Sequence, residues 1–337
     1  MNLRPLNHYM LPNISIIVPC RNEATYIKSF ITSLVNQDYP KDKLEVVIAE
    51  GRSSDQTKNL LLKYTKELPW IRIIDNEKKI VSTALNLAIR QTSHDIVLRM
   101  DVHTEYAPDY LRKCVETLLE TRFHNVGGPA RTKSRTYLQG AIAAAFSSVF
   151  AVGNSKSHFE YEGEVESVSY GCWYKETLFK IGLWDESFKK NQDDELNLRL
   201  RKAGFRIWQS PAIRSWYYPR ESLLGLFKQY FQYGFWKVMV MKKHKTLVSW
   251  RHLIPAFFVS ILTVSGLMAF FNKFAFGIFL ATFFSYLIFI TAGSILIAKK
   301  SSWTYLPVLP LVLATFHTAY GSGFLIGLLF AYFDKEL

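Results

Sequence analysis

Ile14-Ser15-Ile16-Ile17-Val18-Pro19-Cys20-Arg21-Asn22-Glu23 is the first strongly patterned stretch of this chain. Ile14 to Val18 is a β-branched run that stops at Pro19, the composition of a buried strand. Just downstream, Ile27, Phe30, Ile31 and Leu34 fall at i, i+3, i+4 and i+7, the period of an amphipathic helix. The same alternation recurs. Leu44 to Ala49 reads as a second strand, and Ser54 and Asp55 can cap a helix carrying Leu60, Leu61 and Tyr64. Ile71 to Ile74 is a third strand, Ala84, Leu85, Leu87 and Ala88 mark a helix, and Ile96 to Met100 is a fourth strand running into Asp101. Alternating strands and helices predict an α/β fold with a mostly parallel sheet and helices on both faces. Ligands of such sheets bind beyond the carboxyl ends of the strands. Those ends are the loops after Val18, Ala49, Ile74 and Met100, and three of them open on polar or acidic stretches: Pro19 to Glu23, Glu50 to Asp55 and Asp101-Val102-His103.

The C-terminal part follows other rules. Leu253 to Phe271, Gly277 to Ala298 and Leu306 to Phe333 are uncharged runs, each long enough to cross a hydrocarbon core of about 30 Å. Lys237, Lys242, Lys243, Lys245 and Arg251 precede the first run, Lys299 and Lys300 separate the second from the third, and Lys273 alone separates the first two. The positive-inside rule then predicts a multi-pass protein of the cell (inner) membrane, with residues 1–250 cytoplasmic and the tail Asp334, Lys335, Glu336 outside. The short break at Asn272 leaves open a hairpin that does not fully cross. Glu221 to Met241 places Leu223, Leu224, Phe227, Tyr230, Phe231 and Phe235 at helical spacing among lysines. It reads either as an amphipathic helix in the headgroup region or as a helix packed on the α/β domain. The expected organisation is an α/β domain over 1–220, a juxtamembrane segment over 221–250 and a transmembrane anchor of about three helices over 251–337.

Lys and Arg number 41 against 28 Asp and Glu, a formal charge of +13 in 337 residues. The surplus is largely juxtamembrane, which points to the lipid bilayer and a phosphorylated substrate and away from nucleic acid. Cys20, Cys114 and Cys172 form no metal-like spacing, and their odd, sparse count fits a reducing compartment. Met1 to Asn13 has no apolar core of the secretory kind.

Taken together, the polar strand ends carry a likeness. Ile17-Val18-Pro19-Cys20-Arg21-Asn22-Glu23 resembles the opening of family 2 glycosyltransferases, and Glu50-Gly51-Arg52-Ser53-Ser54-Asp55 resembles their second-strand acidic turn. Asp101-Val102-His103 stands in the place of their DxD motif, Gln192-Asp193-Asp194-Glu195-Leu196 resembles the motif carrying the catalytic base, and Gln229-Tyr230-Phe231-Gln232-Tyr233 resembles the QxxRW element. The Asp-x-His form, Arg52-Ser53, Pro219-Arg220 and His317 with Tyr320-Gly321 are similar to the ExoA-type enzymes of succinoglycan biosynthesis. This resemblance implies a GT-A, Rossmann-like catalytic domain and inverting transfer of a hexose from a nucleotide sugar, a UDP-sugar above all. The implied acceptor is a polyprenyl-diphosphate-linked saccharide, in exopolysaccharide or cell-surface glycan synthesis.

The resemblance also assigns roles. Asp193 becomes the base that takes the acceptor proton. Asp194 and Glu195 leave a one-residue shift open, and all three acids also suit a helix N-terminus. Asp101 helps hold ribose and a divalent cation, with His103 where a ligating Asp is usual; the other reading of His103 is a loop histidine that hydrogen-bonds a phosphate or backbone group. Imidazole suits Mn²⁺ better than Mg²⁺, so a Mn²⁺ preference is expected. On the donor side, Pro19 and Asn22 line the base pocket, Glu50 reads uracil or ribose, Gly128 turns near the donor, and Gln229 reaches the diphosphate or caps the acceptor tunnel. Trp173 stacks on a sugar or packs in the core. His317, deep in the third run, is either functional or bonded to a neighbouring helix. Asn154 to Glu166 is either a loop over the site or a long surface loop. Other readings at this level are a processive polysaccharide synthase, a polyprenyl-phosphate sugar synthase and an inactive membrane scaffold with the same fold.

Overall fold

The computed structural model describes residues 11–246 and 250–333. The readings placed on residues 1–10 and on the tail Asp334, Lys335, Glu336 lie outside the described residues. In chain order the elements are β1 (Ile14–Cys20), α1 (Ala24–Val35), β2 (Leu44–Glu50), α2 (Thr57–Thr65), β3 (Ile71–Asp75), α3 (Val81–Arg90), β4 (Ile96–Arg99), β5 (Thr104–Tyr106), α4 (Tyr110–Thr121), β6 (Asn125–Gly128), β7 (Arg131–Thr132), α5 (Tyr137–Phe146), α6 (Val149–Val152), β8 (Gly163–Glu164), β9 (Ser169–Tyr174), α7 (Lys175–Lys180), α8 (Gln192–Lys202), β10 (Ile207–Gln209), β11 (Ser215–Tyr217), α9 (Leu223–His244), α10 (Leu253–Met268), α11 (Lys273–Lys300) and α12 (Leu309–Phe333). They group into two compact units divided at Arg131/Thr132, Ser155/Lys156 and Tyr217/Tyr218.

The first unit holds an eight-stranded sheet in the order β3-β2-β1-β4-β9-β6-β10-β8. β1 runs parallel to β2 and β4, and β2 to β3. β9 is antiparallel to both β4 and β6, which makes the sheet mixed. The chain moves from β1 outward to β3 and then returns to the far side of β1 as β4, so a topological switch point lies between β1 and β4. Register brings their ends together: Cys20 lies opposite Glu50, and Ile17 opposite Arg99.

Side-chain alternation in β1 feeds two cores. Ile14, Ile16 and Val18 pack with Ile27, Phe30 and Leu34 of α1 and Leu111, Cys114 and Val115 of α4. Ile17 faces the other way, into Ala84, Leu85 and Ala88 of α3, Trp173, Trp184, and Leu196 and Leu200 of α8. Burying each such aliphatic side chain contributes about 1.5–3 kcal/mol. Apart from Ser15, β1 is apolar because it serves both layers.

In the second unit, three helices are long and apolar enough to cross a membrane: Trp250–Met268, Lys273–Lys300 and Leu309–Phe333. They associate the protein with the membrane. Phe270, Phe271 and Phe274, 85%, 87% and 77% exposed, cluster at the turn between α10 and α11, a surface suited to lipid rather than water. α10 has 16 residues. At about 1.5 Å per residue that is shorter than a hydrocarbon core of roughly 30 Å, and a 3₁₀ turn at Trp250–His252 extends it.

The division of the chain differs from the expected block over 1–220 in one respect. Residues 132–155, carrying the apolar α5, group with the C-terminal helices. Ala141, Ile142 and Ala145 of α5 are buried in one cluster with Ile290, Leu309, Val312 and Phe316. Helix α9 packs along α12, an arrangement that neither sequence alternative for Glu221 to Met241 contained. The close approach depends on Gly323, where an added Cβ would lie 2.0 Å from the Phe231 carbonyl oxygen. His317 uses both ring nitrogens inside this unit: Nε2 lies 2.6 Å from the Phe150 carbonyl and Nδ1 2.9 Å from the Tyr286 hydroxyl. It thereby ties α6 and α11 to α12, in keeping with the plainer of its two sequence readings.

Candidate active site

At the switch point, the loops after β1 and β2 are sewn together by short polar side chains. Asn22 adopts φ 55°, a left-handed conformation that asparagine tolerates better than most residues. In that pose its backbone N–H donates to Ser53 Oγ (2.9 Å) and its Oδ1 accepts from the Ser54 N–H (2.9 Å). The Glu23 N–H donates to Thr57 Oγ1 at 2.7 Å. Glu50, 1% exposed, accepts the N–H of Arg52 on one oxygen (3.1 Å) and that of Ser53 on the other (2.8 Å). Its carboxylate therefore organises its own turn. Arg52, the residue after that turn's glycine, pairs with Asp75 at 3.0 Å and with Glu77. Pro19 is partly buried near the end of β1.

Beyond β4 the acids meet. Arg99, with a side chain only 6% exposed, donates from Nε to Asp101 Oδ1 at 2.8 Å and from one terminal nitrogen to Asp101 Oδ2 at 2.9 Å. Its other terminal nitrogen donates to Asp193 Oδ1 at 2.6 Å. One guanidinium thus joins two carboxylates 92 positions apart in sequence (193 − 101). The indole N–H of Trp184 donates to the same Asp193 oxygen at 3.2 Å. Burial works against the charge of Arg99, but Asp101 and Asp193 outweigh it and raise its pKa above the ordinary arginine value. Tyr106 fixes the backbone beneath, accepting the Asp101 N–H at 2.6 Å.

His103 stands two residues on, its side chain 45% exposed, with Nδ1 2.9 Å from Glu23 Oε1. Burial disfavours the imidazolium, but the hydrogen bond to Glu23 and the charges of Asp101 and Glu23 prevail and raise the His103 pKa. Among the described residues no group of three or more His, Cys, Asp or Glu side chains converges as a metal cage.

The acids of α8 separate by direction. Asp193 faces Arg99 with a side chain 46% exposed. Glu195 is fully buried and gripped by Arg199 at 2.7 Å, while Arg199 also donates to the carbonyls of Ile181 and Leu183. Asp193 alone of the two approaches Asp101.

Three expected contacts are corrected or re-explained. Trp173 is 2% exposed and sits edge-on against Trp184 with ring centroids 5.7 Å apart, so it offers no face to a sugar. Packing in the core, the other reading of this residue, is what the fold gives it. Gly128 is required by its neighbour, since an added Cβ would lie 2.1 Å from the Ile213 carbonyl oxygen. Gln229 belongs to α9 in the second unit and donates to the Tyr233 hydroxyl at 2.9 Å. The loop within Asn154 to Glu166 is tied down: Gln209 Nε2 donates to the carbonyls of Lys156, Phe159 and Tyr161. Arg131 pairs with Glu160 there at 2.6 Å.

Arg99 and Trp184 are the site residues that sequence reading missed. A signal for Arg99 exists: it is the one charged residue in the run Ile96 to Met100, at the end of a buried strand.

A mixed sheet with a parallel β3-β2-β1-β4 half and acidic residues beyond β4 is the arrangement expected of the GT-A fold, and known proteins agree. The profile of Glycosyl transferase family 2 matches residues 15–163. The chain is 32% identical over 315 residues to the succinoglycan biosynthesis protein ExoA of Rhizobium meliloti, covering 92% of this chain and 93% of that protein. It is 30% identical over 329 residues to the dolichyl N-acetyl-alpha-D-glucosaminyl phosphate 3-beta-D-2,3-diacetamido-2,3-dideoxy-beta-D-glucuronosyltransferase of Methanococcus voltae, covering 94% and 97%. The solved mannosyltransferase PcManGT from Pyrobaculum calidifontis, in complex with GDP-Man and Mn²⁺, shares the fold with a TM-score of 0.61 at 19% identity, covering 99% of this chain and 91% of that one. This chain belongs to the family 2 glycosyltransferases.

Proposed function

We propose that this glycosyltransferase moves a hexose from a UDP-sugar to a polyprenyl-diphosphate-linked saccharide, with inversion, during synthesis of an exopolysaccharide or cell-surface glycan. The observation that carries the reading is the approach of Asp193 to Asp101 through Arg99 at the carboxyl edge of the sheet. Asp193 is the base: its Oδ1 is held by Arg99 and Trp184, and Oδ2 takes no hydrogen bond among the described residues, so it is available to an acceptor hydroxyl. One displacement with one base inverts the anomeric centre.

Asp101 and His103 are the residues that would hold a divalent cation. Their donor set suits one: a hard carboxylate lies two residues from an imidazole whose Nδ1 is engaged by Glu23, which leaves Nε2 as the nitrogen that would face a cation. A cation bound there with the donor supplies Lewis-acid stabilisation of the departing nucleoside diphosphate. The imidazole favours Mn²⁺ over Mg²⁺, and the Mn²⁺ complex of the fold neighbour is consistent with that choice. Asn22 and Pro19 shape the base pocket through backbone, and Glu50 acts through the amides it gathers. The apolar helices and the basic stretch Lys237 to Arg251 hold the enzyme at the cytoplasmic face of the inner membrane, where a lipid-linked acceptor is confined.

UDP release by the full chain in nanodiscs tests this, with a panel of UDP-sugars, a polyprenyl-diphosphate saccharide extract, and Mn²⁺, Mg²⁺ or EDTA. Release that needs metal and lipid acceptor, and that falls by about a hundredfold or more in Asp193→Asn, is expected. Full activity in Asp193→Asn, or release indifferent to EDTA, would remove the base or the cation from the reading.

A further inference from the structure

Arg99 meets both carboxylates from a buried position, and its bonds are unequal in kind. The bidentate grip on Asp101 uses two nitrogens and locks the plane of the guanidinium, because a planar fork opposite a carboxylate has one good orientation. With the plane fixed, the remaining nitrogen has a fixed direction, and it points at Asp193 Oδ1. Trp184 reaches the same oxygen, and its ring is itself immobilised, 1% exposed and edge-on against Trp173. Asp193 lies in the first turn of α8 with half its side chain accessible, so without these donors its carboxylate has free rotamers to explore.

We propose that Arg99 is the positioning residue of this transferase: with Trp184 it clamps Asp193 Oδ1 at a set distance from Asp101 and so aims Oδ2 at the acceptor hydroxyl. This rests on Asp193 being the base. Arg99 acts through Asp193 and Asp101, and the donor need not touch it. A lysine cannot replace it, since one ammonium lacks the fork that fixes direction. The buried indole of Trp173 has its own part here, as the wall that keeps Trp184 in place.

The test uses the full chain in nanodiscs with Mn²⁺, the UDP-sugar that supports release and the lipid-linked acceptor. Arg99→Ala is expected to lower kcat by about a hundredfold while the donor KM changes little, and added guanidinium ion is expected to restore part of that kcat. Guanidinium should do nothing for Asp193→Asn. Arg99→Lys should stay near Arg99→Ala, and Trp184→Phe, which removes one hydrogen bond, should lose about tenfold. A parent-like kcat in Arg99→Lys, or a loss confined to donor KM, overturns the proposal. Should Arg99→Ala not fold, as read by its thermal midpoint, Arg99→Lys and Trp184→Phe decide alone, and full activity in either overturns it. A cryo-EM map of Arg99→Lys gives a readout that needs no donor: the Asp193 carboxylate is expected to leave Trp184, and an unmoved carboxylate counts against the clamp. An active Asp193→Asn sinks the base assignment itself, whereas an inactive Asp193→Asn beside an active Arg99→Lys sinks only the clamp.

Discussion

Asp193 and Glu195 sit two positions apart in the first turn of α8, about 200° around the helix, and meet opposite surroundings. Glu195 is an internal ion-pair partner: removing its charge leaves the partly buried Arg199 against carbonyls without its carboxylate. Glu195→Gln is therefore expected to cost about 3 kcal/mol of stability, seen as a lower thermal midpoint in detergent. Asp193→Asn should leave the midpoint nearly unchanged and remove activity. Reversed outcomes, with Asp193→Asn unfolding and Glu195→Gln stable but inactive, would move the base by two residues. Sequence alone could not separate these acids, because each suits a helix N-terminus and only the identity of the facing residue distinguishes them. That facing residue, Arg99, was hidden for the same reason: its partner lies 94 positions away. Trp173 shows the converse. An indole near a glycine reads equally as a sugar platform or as core, and the choice is made by the burial of β9 between β4 and β6.

Among the elements, the parallel half of the sheet was legible because β1, β2, β3 and β4 each follow or precede a helix of clear period, so composition and topology agree. β9 was not legible as a strand between β4 and β6. Its antiparallel entry comes from residues 169–174, after an excursion of the chain into the second unit, and no local period announces a long-range pairing. α5 was missed because alanine-rich apolar sequence is compatible with any buried context. The amino-terminal edge of the parallel strands offers a pH-dependent test. Glu45 in β2 accepts from Ser15 of β1 (2.8 Å), from the Ser93 N–H ahead of β4 (2.7 Å) and from Arg72 of β3 (2.7 Å), and so ties neighbouring strands together. Burial pushes its pKa up, but the Ser93, Ser15 and Arg72 interactions win and hold it below the usual glutamate value. A depressed folded-state pKa means stability that is present above the ordinary glutamate pKa and lost as pH falls through the folded value. Glu45→Gln is expected to lower stability on the order of 1 kcal/mol at neutral pH, with the two proteins converging in acid. A constant difference in midpoint down to the acid limit would show that the carboxylate charge is not what matters.

For the molecule as a whole, the charge pattern and the apolar helices make one statement about orientation, and it can be tested because the native thiols are silent. Cys20, Cys114 and Cys172 are all buried, so an impermeant maleimide has little background to fight. Ser301, just past Lys300 at the end of α11, and Asn272, in the turn between α10 and α11, are both exposed. The positive-inside rule gives Ser301 to the cytoplasm, next to Lys299 and Lys300, whereas only Lys273 accompanies Asn272. Ser301→Cys should therefore label in inverted membrane vesicles and stay protected in right-side-out ones. Asn272→Cys should show the reverse if α10 and α11 both cross. The 16-residue length of α10 makes a third pattern informative, namely Asn272→Cys silent from either side until detergent is added. That result identifies α10 and α11 as a hairpin that ends within the bilayer, with its exposed Phe270, Phe271 and Phe274 in the hydrocarbon. It leaves α12 as the crossing segment that takes the tail outside. Labelling of Ser301→Cys from outside would invert this arrangement and overturn the proposed cytoplasmic placement of Asp101 and Asp193.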